Sequence, residues 1–100
     1  PNTDVPEVRK ALNTLGFAIT DETMVEEKRH VYEIIKAERG TQDLRELDLL
    51  YGPSLRKAKS KTFVRHWTSR KAAIEELLKK DISEKRREEL LNEKERLERL

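Results

Sequence analysis

The chain reads as all-α, a compact bundle of five to six helices ending in a long antiparallel helical hairpin. Three observations predict this. Three Gly and three Pro in 100 residues are too few for a turn-rich β fold. Apolar residues recur at helical spacing in several segments. Charged residues make up 42 % of the chain and apolar ones only 35 %, which suits exposed helix faces over a thin core.

The breakers set the elements in order. Asp4 with Glu7 resembles a capping box, Pro6 is tolerated in a first turn, and Val5, Val8, Leu12 and Leu15 follow at helical spacing. Gly16 then stands where a left-handed C′ residue belongs, with Phe17 placed to close the cap, so the first helix is expected at 5–15. Thr20 is the next N-cap, flanked by Ile19 and Met24 at staple positions. Asp21 and Glu22 suit the positive end of a helix dipole, and Lys36 and Arg39 the negative end. With Met24, Val31, Ile34 and Ile35 as its buried stripe, a second helix is expected over 21–39, before Gly40.

Thr41 caps a third helix, 42–51, with Leu44, Leu47, Leu50 and Tyr51 on one face. Gly52-Pro53 ends it and starts the next. One long helix over 54–80 would point Leu55 and Ala58 away from the arc shared by Phe63, Val64, Trp67, Ile74, Leu77 and Leu78. A break near Ser60-Lys61-Thr62 repairs the phase, giving helices at 54–59 and about 61–80. Asp81 and Ser83 compete to cap a last helix, 84–100, which carries Leu90, Leu91, Leu97 and Leu100. The organisation expected is a helical domain over 1–80 with its basic segment at 54–71. Residues 81–100 either fold back as a hairpin arm or lead into a coiled coil. The chain begins without Met and stops inside a running helix, as a fragment of a larger protein would.

Charge is distributed unevenly. Residues 1–50 carry 7 basic and 11 acidic side chains, residues 51–80 carry 9 and 2, and residues 81–100 carry 6 and 7. Arg56, Lys57, Lys59, Lys61, Arg65, Arg70 and Lys71 follow one another with no acid between them. Ordinary solvated helix charges would account for part of this run. Lys61 and Arg65 nevertheless fall in the first turns of a helix, where cations oppose the dipole unless an anion is bound.

The composition excludes several classes. No apolar run reaches the ~20 residues of a membrane span, and no signal-peptide pattern is present. Without cysteine there is no disulfide, no thiolate nucleophile and no Cys-based metal site. His30 has Glu26, Glu27 and Glu33 at helical neighbour positions but no third ligand at a metal-site spacing, so a surface histidine is the plainer reading. Glycines 16, 40 and 52 are too scattered to cradle a phosphate. No catalytic residue, metal or cofactor is expected, and the chain does not read as an enzyme.

The leading expectation is a small nucleic-acid-binding module, with duplex DNA favoured. It would dock phosphates through Arg56, Lys57, Lys59, Lys61 and Arg65, with Arg70 at the edge. Residues 42–60 have the outline of a helix–turn–helix corner, although Asp48 stands where a small residue is usual. Trp67 lies on the apolar stripe as a core anchor or, less simply, a base-stacking ring. The alternative is a protein–protein interaction module that meets an acidic partner with its basic face. There the leucine stripe of 84–100 would give a homo-oligomer or a coiled-coil partner. Either function is intracellular, without distinguishing nucleus from cytoplasm.

Overall fold

In the computed structural model, which describes residues 4–100, the elements run α1 (Val5–Thr14), β1 (Phe17–Glu27), β2 (His30–Arg39), α2 (Glu46–Tyr51), α3 (Pro53–Ala58), α4 (Lys61–Leu77) and α5 (Glu84–Glu98). Two compact units divide the chain, Pro1–Thr62 and Phe63–Leu100. The all-α expectation is overturned: residues 17–39, read as one helix from position 21, form a two-stranded antiparallel sheet beside the helices. The protein is therefore of α/β class.

The reason lies in the inner face of this hairpin. Its ladder pairs Glu22 with Ile35, Met24 with Glu33 and Val25 with Tyr32, with an irregularity between Ile19 and Asp21. In β1, Ile19, Glu22 and Met24 are buried, while in β2 the less exposed residues are Val31, Glu33, Ile35 and Ala37. The period is two, as a half-buried strand requires. Polarity conceals it: two inward positions are glutamates, and the outer face carries Val25, Tyr32 and Ile34. The turn conceals it as well. Lys28 and Arg29 both lie in the left-handed region, at φ 50° and 68°, between the paired residues Glu27 and His30. Such a two-residue turn normally carries Asn-Gly. For residues with a Cβ the left-handed conformation costs roughly 1–2 kcal/mol each.

A hairpin alone is marginal in water. Here α1 and α3 pack on β1, and α1 also packs on α2. The buried apolar residues of this unit are Ile19, Met24, Leu47, Tyr51 and Leu55, each contributing about 1.5–3 kcal/mol. The third helix is shorter than expected, because Gln42 behaves as an extra strand residue. Its Oε1 accepts from the Ile19 N–H at 2.7 Å, its Nε2 donates to the Ile19 carbonyl at 3.2 Å, and its own carbonyl accepts from Asn13 Nδ2 at 2.6 Å. These bonds hold the chain non-helical until Arg45, whose N–H donates to Asp48 Oδ2 at 3.1 Å and opens α2.

The break expected near residue 60 is present: α3 ends on Lys59 in the left-handed region and α4 starts at Lys61. In the second unit α4 and α5 form an antiparallel helical hairpin. Contacts run from Lys71–Glu98 at 3.5 Å through Glu75–Lys94 at 3.5 Å to the Arg87 guanidinium, which donates to the carbonyls of Leu78 and Lys80 at 2.9 and 3.1 Å. Phe63, Ile74, Leu90 and Leu97 are its buried apolar residues, and Ser83 caps α5 by accepting from the Arg86 N–H at 3.1 Å.

Candidate functional site

The deepest polar feature lies under the β hairpin. Arg9 projects from the inward face of α1, and its side chain is 0 % exposed, as is that of Glu22. Nε donates to Glu22 Oε2 at 2.8 Å, Nη2 to Glu33, and Nη1 to the carbonyls of Leu49 and Leu50 at 3.0 and 3.4 Å. The other Glu22 oxygen accepts from the N–H groups of Ser54 and Leu55 at 2.8 and 3.3 Å. One buried ion pair therefore supplies a cation to the last turn of α2 and an anion to the first turn of α3, the polarity that both helix ends favour. Gly52 completes the arrangement. It adopts φ +94°, and a Cβ there would lie 2.7 Å from Glu22 Oε1 and 2.8 Å from Arg9 Nη2. The cluster fixes where α3 starts, and with it the basic turn that follows.

The residues singled out as phosphate contacts divide into two groups. Arg56 is bridged to Asp48 at 2.8 Å, and Arg70 holds Glu93 through Nε and Nη2 at 2.7 and 2.9 Å. Both hold their own fold together. The hydrogen bond from Arg70, opposed by burial and helped by the fields of Arg96 and Arg86, keeps the Glu93 carboxyl below the usual carboxylate range. Lys57, Lys59, Lys61 and Arg65 are exposed. The Lys59 ammonium donates to the Arg56 carbonyl at 2.8 Å, so it sits against the turn it follows. Lys61 and Arg65 stand one helical turn apart on α4.

The helix–turn–helix outline does not survive. The helices on either side of Gly52 have six residues each, and Asp48, the misfit in that motif, is the residue that ties α2 to Arg56 of α3. His30 is on a strand, exposed, with its ring 6.2 Å from that of Tyr32. Its three glutamate neighbours in helical spacing are therefore not grouped by a helix. Among the described residues no cluster of three or more His, Asp or Glu could hold a metal, and no helix is long and apolar enough to cross a membrane. The leucine stripe of the last helix buries Leu90 and Leu97, with Leu91 exposed. Sequence reasoning passed over Arg9 and placed Glu22 and Glu33 on a helix, as a dipole partner and a neighbour of His30. Only two acids with β-branched neighbours and one arginine on an apolar helix face signalled them.

Comparison with known proteins supplies what the geometry alone does not. The whole chain, residues 1–100, matches the family described as TrmK: tRNA (adenine(22)-N(1))-methyltransferase. A tRNA (adenine(22)-N(1))-methyltransferase of Bacillus subtilis is 32 % identical over 74 residues, which is 68 % of this chain and 31 % of that protein. The crystal structure of a putative tRNA (m1A22) methyltransferase of Streptococcus pneumoniae superposes with TM-score 0.88 at 29 % identity, over 99 % of this chain and 46 % of that one. That of the B. subtilis tRNA methyltransferase TrmK superposes with TM-score 0.77 at 25 % identity, over 99 % and 48 %. The chain thus spans a third to a half of the proteins it matches.

These matches overturn the expectations of a duplex-DNA module, of a protein-interaction or coiled-coil assembly module with an acidic partner, and of a chain unrelated to enzymes. The family is one of RNA-modifying methyltransferases. The composition misled because phosphate-docking cations look alike for DNA and RNA.

Proposed function

This chain belongs to the tRNA (adenine(22)-N(1))-methyltransferase family, and from that premise we propose that it serves N1-methylation of an adenine in tRNA as the part that docks the tRNA. The family match across all 100 residues, basic turn included, carries the reading. Lys57, Lys59, Lys61 and Arg65 contact tRNA phosphates. Arg56, engaged with Asp48, holds the α2–α3 corner that presents the three lysines, and Arg70, engaged with Glu93, holds the α4–α5 hairpin of the second unit. A tRNA substrate places the work inside the cell.

The S. pneumoniae structure is also known in complex with S-adenosyl-L-methionine, with TM-score 0.83 at 29 % identity. The described residues do not fit that molecule. Gly16, Gly40 and Gly52 stand at separate element ends, and the buried Arg9–Glu22–Glu33 cluster is satisfied internally, with the space beside Gly52 already filled. No described residue is assigned to the methyl donor.

The test is fluorescence anisotropy of a labelled tRNA transcript bearing adenine at position 22, against duplex DNA of similar length, at several salt concentrations. Binding to tRNA should be tighter and fall linearly on a log–log salt plot. Neutralising Lys57 and Lys61 together should lower the slope by about two. Equal affinity for DNA, or no tRNA binding at ~50 mM salt, would refute the reading.

A further inference from the structure

The turn at Lys28-Arg29 breaks a local rule and returns nothing to the fold. Both residues take the left-handed conformation that favours Asn and Gly. Both are exposed, and neither makes an ion pair with a described residue, although Glu26 and Glu27 precede them. Strain of this kind points to function when the surroundings hold it in place, as the ten-rung ladder from Phe17–Arg39 to Glu27–His30 does here. The turn sets two cations at the very end of the hairpin. Directly behind them, on the outer sheet face, His30 and Tyr32 lie two residues apart with their rings 6.2 Å apart and tilted by 42°. Tyr32 is 43 % exposed, and its cross-strand neighbour Val25 is 36 % exposed. Exposed aromatic rings beside unpaired cations are the composition that grips single-stranded RNA, the rings stacking on an unstacked base and the cations meeting its flanking phosphates.

We propose that the hairpin tip is an RNA-binding site in addition to the lysines at 57, 59 and 61. In it Lys28 and Arg29 contact phosphates, and Tyr32, with His30, stacks on an unpaired nucleotide of the tRNA. The inference rests on the tRNA reading and deepens it, since a site of this chemistry selects a loop or an opened pair rather than intact duplex.

Two variants test it in the 100-residue chain with the same tRNA transcript. Lys28→Asn with Arg29→Gly gives the turn its preferred residues while removing both cations. Its thermal midpoint should rise, its affinity at ~0.1 M salt should fall about tenfold, and its log–log salt slope should drop by one to two units. Tyr32→Thr should weaken binding about fivefold or more with the slope unchanged, because stacking releases no counterions. Wild-type affinity and slope in the double variant would overturn the proposal, as would a fall in its midpoint. If the Lys57/Lys61 variant shifts the slope and the tip variant does not, this inference alone fails. If the wild-type chain binds no tRNA, the docking reading fails first and takes this one with it.

Discussion

Replacing Arg9 with methionine removes at once the cation paired with two carboxylates and the donor to two backbone carbonyls. The Arg9 guanidinium holds Glu22 and Glu33, together with two carbonyls in the last turn of α2. Without it, Glu22, whose side chain is 0 % exposed in the wild-type chain, keeps only the N–H groups of Ser54 and Leu55 as partners. Breaking a buried pair from one side typically costs 3–5 kcal/mol, chiefly because a charge stays behind uncompensated. Against the ~5–15 kcal/mol that hold a small domain folded, that is a large share. The thermal midpoint should fall by on the order of 15 °C or more. Circular dichroism at 222 nm during heating and urea titration reads both quantities. A triple variant, Arg9→Met with Glu22→Gln and Glu33→Gln, removes the stranded charges and should recover about half the loss or more. A single-variant loss under ~1 kcal/mol, or a triple variant no better than the single, would refute the placement of this cluster as the clamp on α2 and α3.

The same clamp predicts that Gly52→Ala destabilises by about 1–3 kcal/mol in urea titration. The new Cβ meets side-chain ends that are buried and paired, and these cannot swing aside without breaking the ion pair. Asp48→Ala should cost about 1–2 kcal/mol, since it loses both the bridge to Arg56 and the cap on the Arg45 N–H. In the helical hairpin, Arg70 holds the folded Glu93 carboxyl below its ordinary value of 4.5. Stability from this pair is therefore complete above that value and is lost as pH falls through the lower folded value. The difference in midpoint between wild type and Glu93→Gln should accordingly shrink as pH drops from 5 toward 3, to be followed by calorimetry across that range. Loss of the two exposed lysines at 57 and 61 should leave the midpoint nearly unchanged while lowering the tRNA salt slope, which separates docking from folding.

Local chemistry made much of the helical part legible. Gly16, the Gly52-Pro53 pair and the phase slip near Ser60 mark element ends that depend on neighbours within a few residues. So do Ser83 as a cap and the short connection that turns α5 back along α4. The exposed cations of 57–65 were legible too, because a run of like charge needs no fold to be seen. What failed was the segment 17–39. Met24, Val31, Ile34 and Ile35 satisfy a helical arc as well as a strand pair, and Lys28-Arg29 gives no turn signal. The inward glutamates at 22 and 33 contradict the alternation that would have settled the matter.

The sequence by itself determined most of the helix ends, the charge asymmetry and the positions of the exposed cations, since each depends on short-range backbone and side-chain preferences. Only the tertiary structure decided that residues 17–39 are a sheet. A glutamate can face a core only when a distant arginine arrives to pair with it, and Arg9, 13 residues before Glu22 and 24 before Glu33, meets them only after the chain has folded.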